Sequence, residues 1–166
     1  LYMFVRDERD LELLKGSSRP EFLWRRINGE LPLYLLGEGV LMSEATATSC
    51  HQHIAGDSSF SLGMITKFRH VIEEGPFLYR HLFWESGMIG QVLYLEAEAH
   101  GVRSTGIGCF FDDPVHQIMG LQDNTFQSLY HFTVGGPVED ARLQAWPPYF
   151  HLKEHMTDPS QVIVNS

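Results

Sequence analysis

What this chain lacks narrows it first. Among 166 residues there are two cysteines, Cys50 and Cys109. That is too few for the disulfide framework of a small secreted scaffold, and it points to a reducing cytoplasm. No apolar run reaches the length of a transmembrane helix, so no membrane span is expected. Basic residues are the minority: 12 Lys and Arg stand against 21 Asp and Glu, a formal charge of −9. They form no patch, which excludes a phosphate-driven nucleic-acid partner. Gly106-Ile107-Gly108-Cys109-Phe110-Phe111 fails the G-x-G-x-x-G pattern at its last position, and there is no P-loop or G-x-S-x-G motif. Cys50-His51-Gln52-His53 has no second Cys/His pair at a zinc-like spacing, so no metal site is expected. The chain opens on Leu1 to Arg6 without a basic n-region, a cleavage site or a Met. An apolar strand-like start of this kind is expected of a segment from inside a larger protein.

What is present is a globular composition, 43% apolar, sufficient for one domain with a real core. Its longest uninterrupted stretch is Phe77 to Gly101. Gly75-Pro76 precedes it, with Pro suited to a first helical turn, and Gly101 suits a left-handed C-terminal cap. Phe77, Leu78, Leu82, Phe83, Trp84, Met88, Ile89, Val92, Leu93 and Leu95 occupy nearly every face, which predicts a buried central helix. Gly87 and Gly90 each cost such a helix about 1 kcal/mol relative to Ala. Close approach of another backbone or a flat ligand would account for them. Glu85 lies in the most apolar part of the stretch. Buried there it needs a partner: Arg80 on the same helix, or a ligand N–H.

Around this helix the pattern predicts a short buried strand over Leu1–Val5 and a helix over Asp10–Lys15 stopped by Gly16. A second short helix is expected over Glu21–Ile27, then an extended piece at Leu31–Leu36 whose Pro32 argues against a central strand. Ser43 reads as the N-cap of a helix running to Ala55, carrying Cys50 as a buried thiol. Phe60–Phe68 alternates as a strand, and Arg69–Glu74 reads as helical. Val102–Phe110 reads as a strand with a glycine-opened end. Asp112-Asp113-Pro114 starts a short helix ended by Gly120. Gln127–Val134 is a strand broken by Gly135-Gly136-Pro137. From Ala145 the chain is Pro-rich and irregular, with an extended tail at Gln161–Val164. The fold class is α+β: a mixed sheet flanked by helices, with the long helix at its centre.

The order of these pieces is informative as a set. Gly87, Gly90-Gln91, Leu93-Tyr94-Leu95 and Ala97 lie within the helix. Gly101, Gly106 to Phe110, Asp112-Asp113, Gly120-Leu121, a strand and Gly135-x-Pro137 follow. This series resembles the nitroreductase-like FMN flavoproteins. Cys50-x-Gln52-x-Ile54-Ala55, Gly75-Pro76 and Tyr79-Arg80 resemble the branch of azoline oxidases that make thiazoles and oxazoles. The resemblance runs over about residues 45–142 and marks the chain as the C-terminal portion of such a domain, with residues 145–166 as an irregular tail.

The resemblance implies a homodimer with FMN at the subunit interface, passing a hydride between NAD(P)H or an organic substrate and the flavin. It implies that the backbone of Ile107, Gly108 and Cys109 runs beside the isoalloxazine ring, that Arg142 contacts the FMN phosphate, and that Glu85 lies near the ring. Gly87 and Gly90 would mark close packing near the dimer interface. The chemistry resides in the flavin, and no catalytic side chain is singled out. Two family features are absent: the Arg-rich phosphate segment with its Pro-Ser-Gly-Gly-like loop, and the Lys-Tyr pair of azoline oxidases, replaced by Glu73-Glu74. The alternative is a cofactor-free copy of the fold serving as a dimerisation or binding module.

Overall fold

The computed structural model describes residues 1–27, 29–138, 141–144 and 146–153. The expected tail at 161–164 lies outside the described residues. Six strands and seven α-helices alternate along them, an α+β fold. The strands are β1 (Tyr2–Phe4), β2 (Arg25–Arg26), β3 (Leu33–Leu35), β4 (Phe60–Lys67), β5 (Arg103–Ile107) and β6 (Phe126–Gly135). The helices are α1 (Leu11–Ser17), α2 (Met42–Thr48), α3 (His53–Gly56), α4 (Phe68–Glu74), α5 (Tyr79–Ala99), α6 (Asp112–Met119) and α7 (Phe150–Lys153).

The strands form two three-stranded sheets, ordered β1-β3-β2 and β4-β6-β5. Both are antiparallel, so the mixed parallel and antiparallel pairing expected of the sheet is not formed among the described residues. In the larger sheet β6 is central. Phe60 faces Val134 and Lys67 faces Phe126, with a bulge between Met64 and Ile65. On the other side Arg103 faces Gly135 and Ile107 faces His131. A central strand is covered on both faces, and β6 is accordingly buried along nearly its whole length. Phe132 is fully buried, which contributes about 2–3 kcal/mol.

The apolar residues gather in two clusters. Val5, Leu14, Tyr34, Leu36, Met119, Leu121 and Phe126 join the N-terminal sheet to α6 and the start of β6. Arg19 reinforces that junction: its backbone N–H donates to the Met119 carbonyl and its Nε donates to Ile118 O at 2.8 Å. Gly120 adopts φ 78°, where L side chains are strained, and ends α6 as expected. The second cluster, Ala97, Phe132 and Val134, seats α5 on the larger sheet.

Several local expectations are corrected. Residues 21–27 are not a helix: Arg25 and Arg26 pair with β3 instead. Pro32 does not keep β3 from the centre of its sheet, because it stands one residue before the strand and accepts there from Val5 N–H at 2.9 Å. The buried strand expected at the start has Tyr2 and Phe4 exposed. Gly16 does not stop α1, which runs through it to Ser17.

The helix expected from Glu44 to Ala55 is broken. Cys50 and His51 both take left-handed backbone, φ 52° and 58°, which no helix interior accepts. Cys50 is also not a free thiol but is bonded to Cys109.

The long helix forms over Tyr79–Ala99, led in by a 3₁₀ turn at Pro76–Leu78 and ended by Gly101 at φ 70°. It is not buried all round. Leu82, Ser86, Gly90 and Ala97 make its buried stripe, while Trp84, Met88, Val92 and Leu95 are 59%, 64%, 56% and 61% exposed. Among the described residues no helix is long and apolar enough to cross a membrane.

Candidate functional site

The segment Gly106 to Phe111 leaves the end of β5 between three neighbours. On one side is α5: the Tyr94 hydroxyl accepts from the Gly106 N–H at 2.7 Å. A Cβ at Gly106 would fall on the Tyr130 hydroxyl of β6, so only glycine fits. Ile107 is buried, 2% exposed, against the sheet. Beyond it the environment changes. Gly108 is exposed and a Cβ there would meet no atom within 4 Å. Cys109 is exposed as well. The segment therefore presents open, side-chain-free backbone at Gly108, directly after an anchored residue.

The second neighbour is the turn between α2 and α3. Cys109 is disulfide-bonded to Cys50, with Cα atoms 5.9 Å apart. Gln52 Nε2 donates to the Cys109 carbonyl at 3.2 Å and to Ser49 O at 2.9 Å. Phe111 N–H donates to the Thr48 carbonyl at 2.8 Å.

The third neighbour is β6 itself. Phe110 stacks on the His131 imidazole, whose Nε2 lies 3.0 Å from Ser128 Oγ. Burial pushes the His131 pKa down to about 4, with the Asp112 carboxylate opposing the shift. The ring is therefore neutral at physiological pH, which suits a stacked and buried position.

The expected site residues fall into two groups. Ile107, Gly108 and Cys109 form one continuous ledge, with Ile107 contributing only backbone. Glu85 differs from its expectation: it is exposed and pairs with Arg6 at 2.8 Å, not with Arg80. Arg80 instead sits over the Trp84 ring, 5.3 Å from its centroid. The correction has a simple cause. Residue 85 follows Trp84 on the outward face, whereas Leu82 and Ser86 turn inward.

Arg103 pairs with Glu98 and the Gly106 N–H donates to the Tyr94 hydroxyl, so β5 runs antiparallel to the C-terminal half of α5. The pocket beside Glu85, about 280 Å³, is lined by Arg6, Glu85, Met88, Ile89 and Val92.

Gly90 is explained within the chain: a Cβ there would lie 3.0 Å from the Tyr130 ring, so glycine lets α5 sit close on β6. Gly87 has open space around it. Arg142 is exposed, past the break at Gly135–Pro137. Glu73 and Glu74 are exposed at the end of α4.

The disulfide, the Phe110–His131 stack and the Gln52 bridge were not foreseen from the sequence. The spacing of two cysteines 59 apart carries no signal of pairing. In the sequence Gln52 stands out only as part of Cys50-x-Gln52-x-Ile54-Ala55.

The nitroreductase family model matches residues 65–136. That span begins inside β4, takes in α5, β5 and the ledge, and closes just past β6. The fold is nitroreductase-like. A chain from Anabaena variabilis described as a nitroreductase is 26% identical, with a TM-score of 0.60 over 65% of the present chain. The present chain spans 23% of the length of that protein. An NAD(P)H:FMN oxidoreductase from Staphylococcus epidermidis is 14% identical, with a TM-score of 0.49 over 68% of each chain. No curated protein sequence matches the chain.

Proposed function

We propose that this chain is the C-terminal part of a nitroreductase-like domain in an FMN-dependent oxidoreductase. The reading rests on the open backbone ledge at Gly108 and Cys109, lying within the stretch that the nitroreductase model matches. A flat ring needs close access to backbone without side-chain obstruction, and Gly108 offers it. Ile107 and Gly106 hold the ledge rigid from behind, through burial and the Tyr94 hydroxyl. FMN, when bound, supplies a two-electron carrier able to take up and return a hydride.

This chain's own residues supply position and charge. Arg142 would grip the phosphate, for which a guanidinium is well shaped. Glu85 would stand at the rim of the site with Arg6, not inside an apolar pocket. NAD(P)H or an organic compound is the proposed electron donor, and the cytoplasm the proposed compartment. The azoline-oxidase branch is the finer reading. Glu73 and Glu74 weigh against it, since carboxylates cannot replace a cation and a phenol.

The exposed apolar stripe of α5 supports a homodimer. Trp84, Met88, Val92 and Leu95 recur at helical spacing on one face, which water disfavours leaving open. The same stripe favours the second reading, a cofactor-free dimerisation or binding module.

Titration of the purified protein with FMN, followed by absorbance and fluorescence, separates the two. Flavin bands that shift on binding are expected. Arg142→Ala should weaken binding by about 2 kcal/mol, as for loss of a charged hydrogen-bond partner. Absence of any FMN binding would leave the binding-module reading in place.

A further inference from the structure

We propose that Cys50 and Cys109 form a redox-controlled clasp, which holds the Gly108–Phe111 ledge against the turn between α2 and α3 when oxidised and frees it when reduced by a cellular dithiol. Three independent observations carry this. The bridge is reachable: Cys109 is exposed and Cys50 half-buried, whereas a purely structural bridge is shielded in a core. The turn that it fastens holds two consecutive non-glycine residues, Cys50 and His51, in left-handed backbone. Such conformations persist only where neighbouring contacts enforce them, and they gather at switch regions. Finally, the ledge's other polar ties end beside the bridge: Gln52, in this turn, donates to Cys109 O, and Phe111 N–H donates to Thr48 O, on the last residue of α2. Opening the bridge therefore loosens them together. In a reducing compartment a bridge so placed is transient and reports the thiol balance.

Opening consumes one dithiol. Its thiolate attacks one cysteine sulfur, the Cys50–Cys109 S–S bond breaks, and a mixed disulfide forms. The second thiolate of the dithiol resolves that intermediate. The products are two cysteine thiols and one oxidised dithiol, two electrons and two protons having passed to the protein. The clasp itself stands on the chain's geometry; its effect on cofactor binding rests on the flavin reading above.

The test compares the oxidised full chain with the same protein treated with dithiothreitol. Alkylation with iodoacetamide, read by mass, should find no free thiol in the first and two in the second. Hydrogen exchange at the Phe111 amide should quicken about tenfold or more on reduction. Phe132, in the middle of β6, should not change. Cys50→Ser should show the fast Phe111 exchange with or without dithiothreitol.

The proposal is overturned by free thiols in the oxidised sample, or by equal Phe111 exchange in both forms. It is equally overturned if Phe132 quickens in parallel, which would mean general loosening. FMN titration of both forms completes the test. A difference in affinity supports the clasp acting on the cofactor. No FMN binding in either form, with the Phe111 response intact, sinks the flavin reading and leaves the clasp standing.

Discussion

The imidazole of His131 lies flat on the ring of Phe110, centroids 4.2 Å apart and planes within 10° of parallel. This contact joins the central strand of the larger sheet to the ledge at the end of β5. It also couples the ledge to pH, because burial favours the neutral ring.

Stability should therefore fall with acid. With a folded pKa of about 4 against an ordinary value of 6.5, the unfolded chain binds more protons than the fold between those values. Stability rises with pH across that window and is complete above about 6.5. Urea melts should lose about 3 kcal/mol from pH 7 to pH 4 through this group, an order-of-magnitude figure. His131→Gln should flatten that part of the profile. An unchanged profile would show that the ring is not held neutral.

Two glycines two residues apart should behave oppositely. Gly106→Ala drives a methyl into the Tyr130 hydroxyl and should cost about 1–3 kcal/mol in a urea melt. Gly108→Ala meets only open space and should change stability by no more than about 0.5 kcal/mol. The same Gly108→Ala should weaken FMN binding, measured by fluorescence titration. A melt in which both variants lose equally would contradict the open ledge.

The α5 stripe predicts an oligomeric change. Trp84→Asp combined with Met88→Lys places charge on two of its four exposed apolar positions. Sedimentation velocity should show a dimer for the parent and a monomer for the variant, with helical content unchanged by circular dichroism. A variant that sediments like the parent would move the dimer contact elsewhere.

Glu85 should prove energetically modest. Both it and Arg6 are more than half exposed, so water screens their attraction. Glu85→Gln should alter stability by less than about 1 kcal/mol, and salt should diminish even that. A loss well above this, by denaturant titration, would restore the buried-acid reading.

The sequence carried the order of elements well, because turn residues and periodicity are local. Gly101 and Gly120 end their helices at positive φ as their type predicts. The strands expected at Phe60–Phe68 and Gln127–Val134 form as Phe60–Lys67 and Phe126–Gly135. What failed depended on partners distant in the chain. Apolar residues all around α5 read as burial, yet among the described residues Trp84, Met88, Val92 and Leu95 stand exposed beside the buried stripe of Leu82, Ser86, Gly90 and Ala97. Arg80 is the protein partner that proximity in sequence offers Glu85, beside a ligand N–H, whereas Arg6 reaches it from 79 residues away. The 50–53 segment read as helix because no local signal reveals a bridge to residue 109. The ledge itself was legible, since Gly106 and Gly108 announce their need for space. Its anchoring was not.

The strand order β4-β6-β5 has a consequence for synthesis. The middle strand is the last of the three to leave the ribosome, about 60 residues after β4, as the paired positions Lys67 and Phe126 show. Until then β4 and β5 carry unpaired edges, and each is a template for stray pairing with another chain. The sheet cannot close on itself before Gly135 is free. The nascent protein is thus most exposed to aggregation between the emergence of β4 and the completion of β6, and most dependent in that interval on a chaperone that covers open strands.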